Sequence, residues 1–443
     1  MLGQSPFSMP RVSFFFRVLA PLTCAALLAR ALNARRPVVS SGFHARGSRG
    51  VDRRGVLLVA TALVACGTQT VARAPRTSSS GNTTRGPESV AVPRTIVTPG
   101  NTTSVDELFD EAETNFADRH FDLAASQFDR ITALDPDGEF AVRALFDGAA
   151  AHDELGDFEG AATRYQEVAR RFPNDPASRS ALVRAVRLLA YLERWDDAGR
   201  VADASLAHVS ELPPVDRIAV YAGKALSLVF SSDPETAEYF LNKGRDVVDS
   251  ERLDAAGALP RDLAALYFAL GELRRVRGEK IHFTPTPPNF AQVLEARCQL
   301  LLDAQSAYSD AMRAYDAHWS AMAGYRVGEL YENLHRDVMS ITPPATANTP
   351  AKAQLFEGAM RLRYAILLEK GLTMLEHTLA LAERTGEHSE WTTKAAEAKQ
   401  TVETAMKDDQ AALARLPYSK EQLERALDDL GRRKAAPGTR TGP

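Results

Sequence analysis

Residues 141–173 read AVRALFDGAAAHDELGDFEGAATRYQEVARRFP. Small and apolar residues recur at three- and four-residue spacing on both sides of Gly156-Asp157, which predicts two helices joined by a tight turn. Pro173 ends the second helix, because proline cannot continue the hydrogen-bond ladder. The same text flanks this stretch at a fixed interval. Phe121, Phe158 and Trp195 stand 37 residues apart, as do Ala124, Ala161 and Ala198. Phe128 and Tyr165 keep the interval, and so do Pro136 and Pro173. A constant period of this size marks stacked helical units rather than one compact fold.

Working outward, each unit is expected to be an antiparallel helix pair. The pairs fall at about 105–118 and 121–134, 139–154 and 158–171, and 177–192 and 195–209. A fourth follows at 214–230 and 233–249. Ser104-Val105-Asp106-Glu107 is a capping box that starts the first helix. Asp175-Pro176 and Asp233-Pro234 each supply an N-cap and a first-turn proline.

These residues resemble the tetratricopeptide repeat family. Its pattern is a small residue in helix A, a Gly-Asp-aromatic turn, then Ala, an aromatic and Pro in and after helix B. Ala149, Gly156-Asp157-Phe158, Ala161, Tyr165 and Pro173 match in the second unit, and Ala112, Phe121, Ala124, Phe128 and Pro136 in the first. The departure is length, with extra residues near Asp137-Gly138-Glu139. The resemblance implies an all-α, right-handed solenoid whose A helices line a concave groove for a protein or peptide partner. The positions that would face it are Phe109, Glu113, Arg143, Phe146, Asp153, Arg187 and Tyr191. Phe109 and Glu113 stand where the family's peptide clamp uses Lys and Asn. Arg143 and Arg187 are expected to pair either with acidic groups of a peptide or with carboxylates of the solenoid itself.

Beyond residue 250 the repeat text fades into longer, irregular helices, expected over 251–415, with a short helix and basic tail over 416–443. Tyr267, Leu270, Gly271 and Gly278 match another helix A, but its helix B is expected to be interrupted by Thr284-Pro285-Thr286-Pro287-Pro288. Val327-Gly328-Glu329-Leu330 echoes Leu270-Gly271-Glu272-Leu273. Residues 290–339 predict one long helix, or two joined near Gly324. Their stripe of Leu301, Tyr308, Met312, Tyr315, Trp319 and Met322 is either a core face or a groove for a partner helix, and the core face is expected. Residues 389–414 predict a solvent-facing terminal cap.

Charge is unevenly spread. Residues 1–65 hold nine Arg and one acid, whereas 104–443 carry a formal charge of −15. So acidic a body argues against nucleic acid, whose binding depends on Lys and Arg neutralising phosphates. Arg53-Arg54 precedes a short apolar run ending in small residues, which is the layout of an export signal over 51–65. Leu63-Val64-Ala65-Cys66 resembles the lipobox of bacterial lipoproteins, which implies acylation of Cys66 and membrane attachment through those acyl chains alone. Gly67 leans toward the outer membrane, facing the periplasm. Residues 1–50 are read as an untranslated or non-native extension ahead of a start at Val51; the alternative is an Arg-rich transit peptide before a twin-Arg signal. The remainder, 66–103, has the composition of a flexible tether.

No phosphate loop, nucleophile elbow or metal-ligand spacing occurs. Catalytic residues, metal and cofactor are accordingly expected to be none, and His318 and His377 are expected at the surface. The function expected is a non-enzymatic, lipid-anchored envelope scaffold within a multiprotein complex. The alternative is a regulatory or catalytic component of periplasmic cell-wall turnover.

Overall fold

The computed structural model describes residues 104–254 and 259–432; residues 1–50, the export signal, Cys66 and the tether lie outside them. The described residues form fourteen α-helices. Four pairs come first: α1 (Val105–Ala117) with α2 (Phe121–Leu134), α3 (Ala141–Glu154) with α4 (Phe158–Arg171), α5 (Pro176–Tyr191) with α6 (Trp195–Leu206), and α7 (Pro214–Phe230) with α8 (Pro234–Glu251). Then come α9 (Ala264–Glu279), α10 (Phe290–Met312), α11 (Ala317–Met339), α12 (Pro350–Thr385), α13 (Glu390–Ala414) and α14 (Lys420–Arg432). The chain is an all-α solenoid of antiparallel helix pairs with tetratricopeptide-like packing, as the repeat text implies.

Each unit is punctuated by its own chemistry. The Ser104 hydroxyl accepts from the Glu107 N–H at 3.1 Å, and the Glu107 carboxylate accepts from the Ser104 N–H at 3.0 Å. Asp157, Asp175 and Asp233 cap α4, α5 and α8 through backbone N–H groups. Arg119, Gly156 and Glu193, one period apart, turn helix A into helix B with φ of +65°, +79° and +58°. Glycine favours that left-handed conformation, yet only the second unit uses it. The turn recurs in shape where its sequence signature is lost.

Ala112, Ala124, Ala149, Ala161 and Ala198 are fully buried at the helix crossings, and Phe128 and Tyr165 fill the wedges between pairs. Gly271 and Gly328 take over this role further on. A Cβ at Gly271 would lie 2.5 Å from the Tyr308 ring, and one at Gly328 would lie 2.5 Å from Leu375. The two echoes of the Leu-Gly-Glu-Leu text are therefore the close-approach points of the pairs α9–α10 and α11–α12.

The proline-rich stretch interrupts the chain where helix B was expected, and α10 starts after it, at Phe290, and packs along α9. One expectation about the helices is corrected. The 290–339 run breaks at Arg313–Asp316, where Asp316 caps α11 and Tyr315 has φ of +57°. Gly324 lies inside α11, where its missing side chain makes room for Thr378. The 389–414 helix is α13, with one thin buried stripe and a largely exposed opposite face. It packs against both α11 and α12 and buries Trp391, Ala395, Ala398 and Val402, while α14 packs on α12 through Leu423 and Ala426. The long stripe is core at Leu301, Tyr308, Trp319 and Met322, but Tyr315 projects outward at 78% exposure.

The core runs continuously from Leu145 to Trp391, with separate small clusters under the first repeat and under α13 and α14. At its centre lies a fully buried carboxylate. Glu272 accepts from Tyr308 at 2.7 Å and from Arg275 at 2.7 Å, and pairs with Arg326 at 2.9 Å. Arg326 also pairs with Glu329 at 2.8 Å, so one guanidinium joins the two echoed glutamates.

Candidate functional site: the concave face and its clasp

The seven candidates lie on helix A of the first three repeats, and the structure sorts them into three kinds. Phe109 is core: it is 1% exposed, stacks on Phe140 at 4.6 Å and meets Phe128 edge-on at 5.7 Å. Glu113 and Arg143 are exposed but paired to each other, with the Arg143 guanidinium 4.6 Å over the Phe109 ring. Arg187 is already satisfied by Asp216 at 2.7 Å and Asp262 at 3.0 Å. Of the two readings left open for the arginines, pairing within the solenoid is what the structure contains.

Phe146 and Asp153 remain available on the second repeat, and two residues that sequence reasoning passed over join them. Phe146 lies edge-on to Tyr165 at 5.3 Å. Arg184, one helix on, spreads over both rings at 5.5 and 5.7 Å and donates to the Tyr165 hydroxyl at 3.3 Å. Burial pushes that hydroxyl up to about 12. Among the described residues Arg184 has no carboxylate within ion-pair distance, and the Asp147 and Asp153 carboxylates have neither ion pair nor hydrogen bond. Burial raises the Asp147 carboxyl above the usual range, against an opposing pull from Arg143. Burial raises Asp153 likewise, opposed by Arg184. The signal for both omissions was in the repeat: Asp110, Asp147 and Arg184 are one period apart. Together these groups form an aromatic shelf with one exposed cation and two carboxyls lacking donors.

Behind this patch, adjacent repeats are locked by charge. His152 lies between Asp157 at 2.7 Å and Asp129 at 3.2 Å, and Arg164 holds Asp129 through two nitrogens. The hydrogen bonds from Arg164 and His152 outweigh burial and hold Asp129 below the usual carboxylate range.

Tyr191, the last candidate, faces the C-terminal half of the chain itself. Its ring meets Phe158 edge-on at 5.0 Å and stacks on His318 at 4.1 Å. His318 Nδ1 lies 3.4 Å from Glu387, and the Trp391 indole N–H donates to Glu193. Asp316, at the start of α11, is held by Arg261 at 2.7 Å. Burial pushes the Tyr191 hydroxyl up to about 12. His377 is exposed, as expected, but His318 is buried in this contact. The end of helix A of the third repeat is thus covered by a clasp of side chains from α11, α13 and the turn before α13.

Two clefts run along α13. One, of about 400 Å³, opens toward α11 and is lined by Glu329, Glu332, Arg336, Lys394 and Glu397 among others.

No protein-family model matches the chain, and no curated protein matches it. Solved structures share its general build. A tetratricopeptide repeat protein from Parabacteroides merdae is 11% identical, with 67% of this chain and 98% of that one covered and a TM-score of 0.36. Human IFIT1, solved as a dimer with m7Gppp-AAAA, is 12% identical over 76% of this chain and 73% of its own, at 0.33. The TPR2AB domain of yeast Sti1 in complex with pHSP90 is 15% identical over 69% and 98%, at 0.22. At these values the likeness carries no inference about ligands, and the fold assignment rests on the packing described above.

Proposed function

We propose that this protein is a helical-repeat adaptor that docks an extended segment of a protein partner along the open concave face of its first two repeats. The observation that carries the reading is the patch formed by Phe146, Asp147, Asp153, Tyr165 and Arg184. Its two carboxyls are partly dehydrated, and Arg143 and Arg184 attract them without forming an ion pair or hydrogen bond with them. Buried or half-buried polar groups are normally paired, and a partner's backbone and side chains would complete these. The shelf of two rings under Arg184 fixes that cation in place, which reduces the entropy lost when it grips a partner carboxylate.

The second part of the proposal is location. The Arg53-Arg54 signal and the Leu63-Val64-Ala65-Cys66 text support a lipid-anchored, periplasm-facing adaptor whose solenoid hangs from Cys66. Among the described residues no helix is long and apolar enough to cross a membrane.

The test places a photoreactive amino acid at Ala150, between Asp147 and Asp153, in the full chain expressed in cells. One discrete cross-linked partner is expected, with capture falling about tenfold on Arg184→Ala or Asp153→Ala. Capture that is absent, or unchanged by both substitutions, refutes the docking face. Metabolic labelling with an alkyne fatty acid, abolished by Cys66→Ala, tests the anchor; unlabelled protein refutes it.

A further inference from the structure

The contact that closes the third repeat is built unlike the helix-pair joints around it. The joints of the first four pairs bury mainly Ala, Gly and apolar side chains, and those further on add the Glu272 and Asp409 ion pairs. This one presses Tyr191 on His318, Glu193 on the Trp391 indole and Glu387 on His318. Two of its buried polar atoms, His318 Nε2 and Ser389 Oγ, have no hydrogen-bond partner among the described residues. His318 is 8% exposed, so its free nitrogen lies inside the contact. Unpaired buried polar atoms penalise the closed arrangement. The closure also falls on helix A: Arg187 is in register with Ala150 and Glu113, and Tyr191 lies one turn further along the same helix. The curvature of a solenoid is the sum of small rotations between neighbouring repeats. Opening the contact would require small rotations shared among α6, α7, α8 and α9.

We infer that this clasp is an autoinhibitory contact: the C-terminal helices occupy the third-repeat end of the concave face, and its opening lengthens the docking face from two repeats to three. The inference rests on the docking reading above. It also states what a partner must offer there. To displace the block, the partner needs a planar ring for Tyr191 and an N–H donor for Glu193, the chemistry of a Trp or His side chain.

The test uses the full chain and needs no partner. Glu193→Ala/His318→Ala removes the indole's acceptor and the stacking ring while leaving Tyr191, Phe158 and Trp391 in place. Amide hydrogen exchange at 190–196 and 386–393 is expected to quicken about tenfold, with α1–α4 and α9–α10 unchanged and the radius of gyration increased in solution scattering. Trp391→Phe, which keeps a ring and deletes only the N–H, reproduces part of the effect and guards against a folding defect. N-acetyl-tryptophanamide is expected to restore protection at 190–196 in the opened variant. Unchanged exchange, quickening that spreads through α9 and α10, or no protection by the indole probe overturns the inference. Cross-linking from Ala150 is recorded on the same variants. Its failure in a chain whose clasp opens as described refutes the docking reading and leaves the clasp standing.

Discussion

Replacing Glu272 with Ala tests whether the C-terminal pairs are held by the buried ionic centre. The carboxylate is 0% exposed and meets two guanidiniums and a phenol. Removing one partner from a buried ion pair costs about 3–5 kcal/mol, because the remaining charges stay dehydrated. Here Arg275 keeps Glu279 at 2.6 Å and Arg326 keeps Glu329 at 2.8 Å, which puts the loss at the lower end of that range. Taking about 3 kcal/mol and a urea slope near 3 kcal/mol per molar for a body of this size, the unfolding midpoint falls by about 1 M. Trp319, packed on Phe268 at 5.3 Å, provides a fluorescence signal close to the site, with far-ultraviolet circular dichroism as the global measure. The pH dependence has a definite sign. Burial works to raise the Glu272 carboxyl, but Arg326 and Arg275 outweigh it and hold it below the usual 4.5. Its stabilisation is therefore fully present above about 4.5, and is lost as the pH falls through the lower folded value. The gap between wild type and Glu272→Ala must narrow below that usual value. A midpoint shift under about 0.3 M near neutral pH, or a gap that widens in acid, refutes the reasoning.

Three further outcomes are expected. Gly271→Ala forces the Tyr308 ring away from its place 2.5 Å from the new Cβ. Overpacking of about 1–3 kcal/mol, offset by about 1 kcal/mol of helix propensity, leaves a net loss measurable by urea titration. Ser104→Ala removes the capping-box acceptor and destabilises α1 by about 1 kcal/mol, seen as faster hydrogen exchange confined to the first repeat. Asp409 is held below the usual carboxylate range, burial being outweighed by His335 at 3.0 Å and by Arg361. Asp409→Asn should therefore flatten the acid side of the stability profile and loosen the joint between α11, α12 and α13.

How much was legible in advance varied along the chain. The four repeat pairs could be read because each is a local event. Apolar period, capping Asp and terminal Pro all act within a dozen residues, and the same signals recur at one interval. The α10–α11 boundary was misplaced because Arg313–Asp316 lacks Gly and Pro; its turn is set by Tyr315 in a left-handed conformation and by the Asp316 cap. Gly324, which looked like the joint, serves a contact with Thr378 on a helix far along the chain. The groove positions were legible as a face but not as a state. Whether Arg143 and Arg187 pair with a peptide or within the solenoid stayed open, because their partners come from other helices, at Glu113, Asp216 and Asp262.

By itself, the sequence determined that this protein is a helical repeat with a 37-residue period and where its first helix begins. These follow from helix periodicity and caps, whose physics is local. Only the tertiary structure decided that Phe109 is core, that Asp147, Asp153 and Arg184 are left without ion pairs, and that Tyr191 lies under His318. Those outcomes depend on the rotation accumulated from repeat to repeat, which brings Glu193 and Trp391 together across 198 residues. No window of sequence encodes that sum.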